Sequence, residues 1–177
     1  MMIKSTPAAY GAVAIALHWT IALFIVIALA SGFAADQIGS DAYAALRVHV
    51  ACGLAAGILT LVRIGWWWLA DKKPDAAPNT EGVKGVLSRS VHILLVIIPL
   101  GMLASGVGMM VLSGAGSVLF GLVSGPLPDF DRFLPRGPHG AGAFALLALL
   151  VAHVAAALYH QYVLRDDLFK RMSLRRS

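Results

Sequence analysis

His18, His49, His139 and His153 sit in apolar stretches long enough to cross a bilayer, and their depths match in pairs. His18 and His153 fall in one leaflet, His49 and His139 in the other. An imidazole at membrane depth is costly without a partner. Two of them meeting at one level form a ligand pair for iron, and two such levels suit a pair of stacked haems. Bis-histidine iron keeps no open coordination position, so its chemistry is the passage of single electrons, not the activation of bound oxygen. Cys52 is the only cysteine, and the thioether motif C-x-x-C-H is absent, so any haem is held non-covalently, as b-type. Cys52 itself reads as a small buried apolar residue.

The last apolar run carries the clearest pattern. His139, His153 and His160 are separated by 14 and 7 residues. At 100° per residue these spacings return to within about 40° and about 20° of the starting direction, so all three share one seam. His139 and His153 are then about 21 Å apart along the axis, a workable spacing for two haem centres. Leu146 falls midway on that seam, as a packed spacer would.

The other runs supply the partners. His49 is followed on the same side by Gly53, Ala56 and Gly57. These small residues leave room for a flat ligand, and they equally suit small-xxx-small helix packing. Arg63 lies 14 residues after His49 on the same face, where it meets a haem propionate or snorkels to lipid phosphate. Gly32, 14 residues after His18, either clears space for the second cofactor or ends its helix. His92 follows Arg89 near the start of the third run, and Pro99 is expected to kink that helix. His49 and His139 are thus alone in their leaflet, whereas His18, His92, His153 and His160 share the other. His92 and His160 lie shallower, which suits propionate contacts or hydrogen bonds to a quinone better than axial ligation, and a solvated interfacial histidine is the plain alternative for each.

The elements that position these residues follow from composition. Of 177 residues 59% are hydrophobic and 13% charged, with mean hydropathy +0.79; a soluble domain carries roughly 25% charged residues. The apolar runs Gly11–Ala35, Tyr43–Ala70, Val86–Leu112 and Gly140–Leu164 each exceed the ~20 residues a spanning helix needs. They do not alternate apolar with polar, which excludes barrel strands. The expectation is an all-α membrane protein, a four-transmembrane-helix bundle forming one domain over residues 1–177. The first run resembles a secretory signal in its basic start and Ala-rich end, but it outruns the 7–15 residues of a signal core and is read as a retained helix.

Lys4, the Arg63–Arg89 connection and the tail from Arg165 hold 11 of the 14 Lys and Arg residues, against Arg47, Arg132 and Arg136 on the other side. Positive charge stays cytoplasmic, so both termini are expected inside. The net charge of +5 is then an inner membrane surface and not a nucleic-acid footprint. Trp66, Trp67 and Trp68 read as an interfacial anchor. Asp71–Gly82 reads as a polar inner loop. In the outer connection Ser113–Pro138, the apolar stretch from Val118 to Val123 is expected along or dipping into the interface, with Pro126 to Pro138 in water.

Leu17-His18-Trp19, Val48-His49-Val50-Ala51-Cys52-Gly53, Ser90-Val91-His92, Ala152-His153-Val154-Ala155-Ala156-Ala157-Leu158 and Asp166-Asp167-Leu168-Phe169-Lys170-Arg171-Met172 resemble the bacterial cytochrome b561 family over nearly the whole chain. The resemblance implies a multi-pass protein of the bacterial inner membrane with two b haems, His18 paired with His153 and His49 with His139. It also implies electron exchange with ubiquinone or another quinone. In some members superoxide is oxidised at the periplasmic side, an oxidoreductase activity with ubiquinone as acceptor. The chain departs from the family pattern at Gln161, where a second consecutive histidine is expected, and in the glycine-rich start of Ser113–Pro138. Arg47, Arg132 and Arg136 would draw in the superoxide anion, opposed by Asp36, Asp41, Asp129 and Asp131. The alternative reading is a haem-bearing subunit relaying electrons to or from a soluble redox partner. A transporter is disfavoured because the helix interiors hold no acidic residue. No catalytic triad, phosphate-binding glycine loop or zinc-type spacing appears.

Overall fold

The computed structural model describes residues 2–75, 82–166 and 168–173, and no strand occurs among them. The four expected spans are α1 (Ala12–Ile38), α2 (Tyr43–Leu69), α3 (Gly82–Ser113) and α5 (Arg136–Tyr159), with short helices α4 (Ala115–Leu119) and α6 (Leu168–Arg171). Each span is long and apolar enough to cross a membrane. Helix α5 begins at Arg136, ahead of the apolar run, so His139 stands in its first turn. Pro138 is tolerated there because first-turn amides have no partner within the helix. α3 continues through Pro99, and α5 ends in a π-turn, His160–Leu164.

Helix α1 packs on α2, α2 on α3, and α3 on α5. Helix α5 stands further off from α1 and α2 and meets them through side chains, such as Phe33 against Phe144 with ring centres 5.4 Å apart. The gap between them is where the paired histidines project. Halfway along, Ile21 and Ile25 of α1, Ala56 of α2 and Leu146 of α5 form a buried aliphatic layer, with Leu17, Phe24, Leu29, Leu59, Leu95 and Ile98 around it. Leu146 thus occupies the spacer position its register gave it. The outer faces remain apolar and exposed, for example Leu23, Val111 and Phe144. An apolar exterior around a small core is what lipid solvation permits, since the bilayer takes up side chains that water would drive inward.

The segment before α1, the residues just after α2 and α6 meet at one end. Arg171 donates to the carbonyls of Pro7, Ala8 and Asp75, and the Tyr10 amide donates to the Arg171 carbonyl. The Asp71 carboxylate accepts from the Ser5 amide and hydroxyl, the Trp66 indole and the Lys72 amide. Of the three tryptophans expected as a membrane anchor only Trp68 is fully turned outward; Trp66 is bound to Asp71, and Trp67 stacks edge-on against Tyr10. Of the inner loop expected over Asp71–Gly82, the residues Asp71 to Asp75 carry no helix or strand, α3 starts at Gly82, and positions 76–81 lie outside the described residues.

At the opposite end, the expectation for Val118–Val123 needs correction. Leu119 is completely buried, and α4 packs against α2 and α3 as a plug, while Phe120, Leu122 and Val123 face outward. Leu119 satisfies its apolar character against protein, and its carbonyl accepts from Arg47. The Tyr43 hydroxyl donates to the Gly125 carbonyl at 3.0 Å, which fastens the loop to the start of α2.

Candidate haem sites

The histidines form two tiers. At the opposite end His49 of α2 faces His139 of α5 with ring centres 5.8 Å apart and planes at 78°. At the basic end His18 of α1 faces His153 of α5 at 6.3 Å and 65°. Two metal–imidazole bonds of about 2.0–2.1 Å, with about 1.1 Å from each nitrogen to its ring centre, need roughly 6.3 Å between centres. Both pairs lie close to that separation. His92 of α3 also reaches the basic tier, edge-on to His153 at 5.2 Å, which is about 1 Å short of a shared metal. The separation therefore favours His18 over His92 as the partner of His153.

Hydrogen bonds choose the tautomers at the opposite tier. His49 Nδ1 lies 2.8 Å from the Ala28 carbonyl oxygen, an acceptor only, so Nδ1 carries the proton and Nε2 a free lone pair. The Ser105 hydroxyl donates back to the Gly101 carbonyl at 2.9 Å and accepts from His139 Nδ1, also at 2.9 Å. His139 Nε2 is buried with no hydrogen-bond partner among the described residues. A buried polar atom without a partner is costly, and a ring nitrogen with its other N–H anchored is the usual state of a metal-bound histidine. The residues fit a bis-histidine haem.

Glycine contacts support the same fit. A Cβ on Gly32 would stand 2.7 Å from His49 Nδ1, so this glycine makes room for the His49 ring. The helix-end reading of Gly32 does not hold, because it lies within α1, which runs on to Ile38. Gly106 seats His139 in the same manner, with its Cβ position 3.3 Å from the ring. Gly57 packs against Leu103, as the close-packing reading expects, whereas a Cβ on Gly53 would meet nothing within 4 Å.

The Arg63 guanidinium lies within electrostatic range of His18, His153 and Tyr10. It has no carboxylate partner among the described residues, and such an arginine suits a propionate. Arg89 donates to the Gly85 carbonyl of its own helix at 3.3 Å, and His92 Nδ1 donates to the Ser88 carbonyl at 2.7 Å. His160 stands apart from both tiers, its Nδ1 paired with Asp166 at 2.5 Å. No described contact joins Arg89, His92 and His160. Sequence reasoning missed Ser105, the Ala28 carbonyl and Asp166, of which only Ser105 left a signal, as a hydroxyl in an apolar run.

Residues 9–173 match the family described as prokaryotic cytochrome b561. The chain belongs to that family. It is 30% identical to a protein named cytochrome b562 from Cereibacter sphaeroides, over 92% of this chain and 94% of the other. It is 25% identical to a probable superoxide oxidase CybB of Yersinia pestis, over 92% and 94%, and 24% identical to cytochrome b561 homolog 2 of Escherichia coli, over 97% and 95%. As a b561-family cytochrome with four membrane spans, it is a multi-pass protein of the bacterial inner membrane. It carries haem b and mediates electron transfer across that membrane.

Proposed function

We propose that this cytochrome holds two b haems, one between His18 and His153 and one between His49 and His139. Through them it connects a one-electron donor at the periplasmic side with ubiquinone or another quinone of the membrane. The observation that carries the reading is the pair of imidazole couples at metal-bridging separation, with His139 Nε2 buried and unpartnered. Haem, when bound, supplies reversible one-electron chemistry at its iron.

The protein's own residues do the rest. Ala28 and Ser105 hold the Nδ1 side of the two imidazoles, so that each Nε2 would be free to bind the haem iron. Arg63 serves as the propionate counter-charge at the basic tier. The layer of Ile21, Ile25, Ala56 and Leu146 separates the tiers and keeps water from between them. By the charge rule the basic end is cytoplasmic, with His92, Arg89 and His160 at the quinone side. Superoxide is the donor favoured by the CybB likeness, which makes the activity that of a superoxide:ubiquinone oxidoreductase.

A reduced-minus-oxidised optical spectrum with haem and protein assays tests the core. Two b haems per chain are expected, with His18→Ala and His49→Ala each removing a different one. A fully loaded preparation with one haem per chain, or a colourless one, refutes the assignment.

A further inference from the structure

The end of α5 holds a cluster that neither tier uses. His160 Nδ1 lies 2.5 Å from Asp166 Oδ2, and the Asp166 side chain is only 7% exposed. The other carboxylate oxygen, Oδ1, and the Gln161 Oε1 are both buried without a hydrogen-bond partner among the described residues. Buried acceptors left without donors are costly. The backbone is unusual as well. His160–Leu164 form a π-turn, and Arg165, with φ 53°, is the only non-glycine residue with positive φ among the described residues. π-turns and such conformations persist where the surrounding structure requires them, commonly at functional sites.

Resting on the quinone reading above, we propose that Asp166 is the positioning residue of a proton-donating pair, with His160 as the group that hands protons to the quinone. Asp166 accepts the Nδ1 proton and balances the charge of the doubly protonated ring, so that His160 as imidazolium also carries an Nε2–H, the donor. Reduction of a quinone to its quinol takes two electrons and two protons. The reduced protein supplies the electrons singly. In two rounds an N–H bond at His160 Nε2 breaks, an O–H bond forms on a quinone oxygen, and water at the basic end restores the proton. His160 lies 7 residues after His153 on the same helix, about 10 Å along the axis, so proton and electron arrive at one locality. The charged or titratable groups on the turn and just beside it are Tyr159, edge-on to His160, Tyr162, Arg165, Lys170 and Arg171. Arg171 is committed to backbone carbonyls.

The test is stopped-flow oxidation of the reduced holoprotein by two acceptors: a short-chain ubiquinone analogue, and ferricyanide, which takes an electron and no proton. Asp166→Asn is expected to slow the quinone reaction about 100-fold while leaving the ferricyanide rate and the haem spectrum unchanged, and Asp166→Glu to restore most of the loss. In the wild-type protein, D2O should slow the quinone reaction and spare ferricyanide. An unchanged quinone rate in Asp166→Asn, or equal slowing with both acceptors, overturns the proposal. If that variant does not accumulate, the absence of a solvent isotope effect in the wild type overturns it instead. A wild-type protein oxidised by ferricyanide and never by the quinone refutes the quinone reading, and this proposal with it.

Discussion

Adding one methyl group at Gly32 should disable the His49 tier while sparing the other. The Cβ of Gly32→Ala would lie 2.7 Å from His49 Nδ1 and 2.8 Å from Cε1. Ordinary contact requires the ring to retreat by about 0.7 Å or more from α1. Ala28 is one turn earlier on the same helix, so retreat from Gly32 is also retreat from the Ala28 carbonyl. The 2.8 Å hydrogen bond then stretches to about 3.5 Å, the outer limit for such a bond. A buried donor left without its acceptor costs about 1–3 kcal/mol, and loss of an outer hydrogen bond to a ligating histidine typically lowers metal affinity 10–100-fold. Haem titration of the purified variant, read by the reduced optical spectrum, should show that weakening for one haem only. Gly65→Ala, whose added Cβ meets nothing within 4 Å, is the control, and it should be neutral or more stable, since alanine is the better helix former by about 1 kcal/mol. Full two-haem loading of Gly32→Ala with an unaltered spectrum would refute the reasoning from the His49 anchor.

Ser105→Ala removes the side-chain acceptor of the His139 Nδ1 proton and should weaken the same haem, by about 10-fold or more, whereas Ser113→Ala, at the end of α3, should leave both haems in place by the same titration. Superoxide oxidation should change by less than about twofold between 10 and 150 mM salt, because Arg132 pairs with Asp129 and Arg136 with Asp36 and Asp131. A steep fall with salt would show that the arginines act as free charge. Burial alone raises the Asp71 carboxyl, but the hydrogen bonds from Ser5, Trp66 and Lys72 outweigh it and hold the group below its ordinary 3.8. A depressed folded value means that this stabilisation is present above that pH and lost as pH falls through the folded value. Melting temperature in detergent should therefore drop on acidification below about pH 4, and less so in Asp71→Asn, which already lacks the carboxylate.

The tiers were legible because a histidine in an apolar run is conspicuous and the helical repeat places it. His139, His153 and Leu146 needed only their spacing. What fixes those histidines was not legible, since the Ala28 carbonyl and Gly32 act on His49 across a helix interface that no local pattern encodes. The α4 plug was misjudged for a related reason: Leu119 and Leu122 look alike in sequence, yet one is fully enclosed and the other faces outward. The grouping of Arg89, His92 and His160 rested on depth, which places them toward one end of the bundle without saying which side chains touch.

The aliphatic slab formed by Ile21, Ile25, Ala56 and Leu146 offers no side chain along which a hydrogen ion could hop. An electron that passes it therefore moves as uncompensated charge through the least polarisable part of the bilayer. Such a displacement works with or against the voltage across the membrane, at up to about 2.3 kcal/mol per 100 mV for a full crossing. The energised state of the cell thus becomes a throttle on this cytochrome, set by a handful of methyl groups.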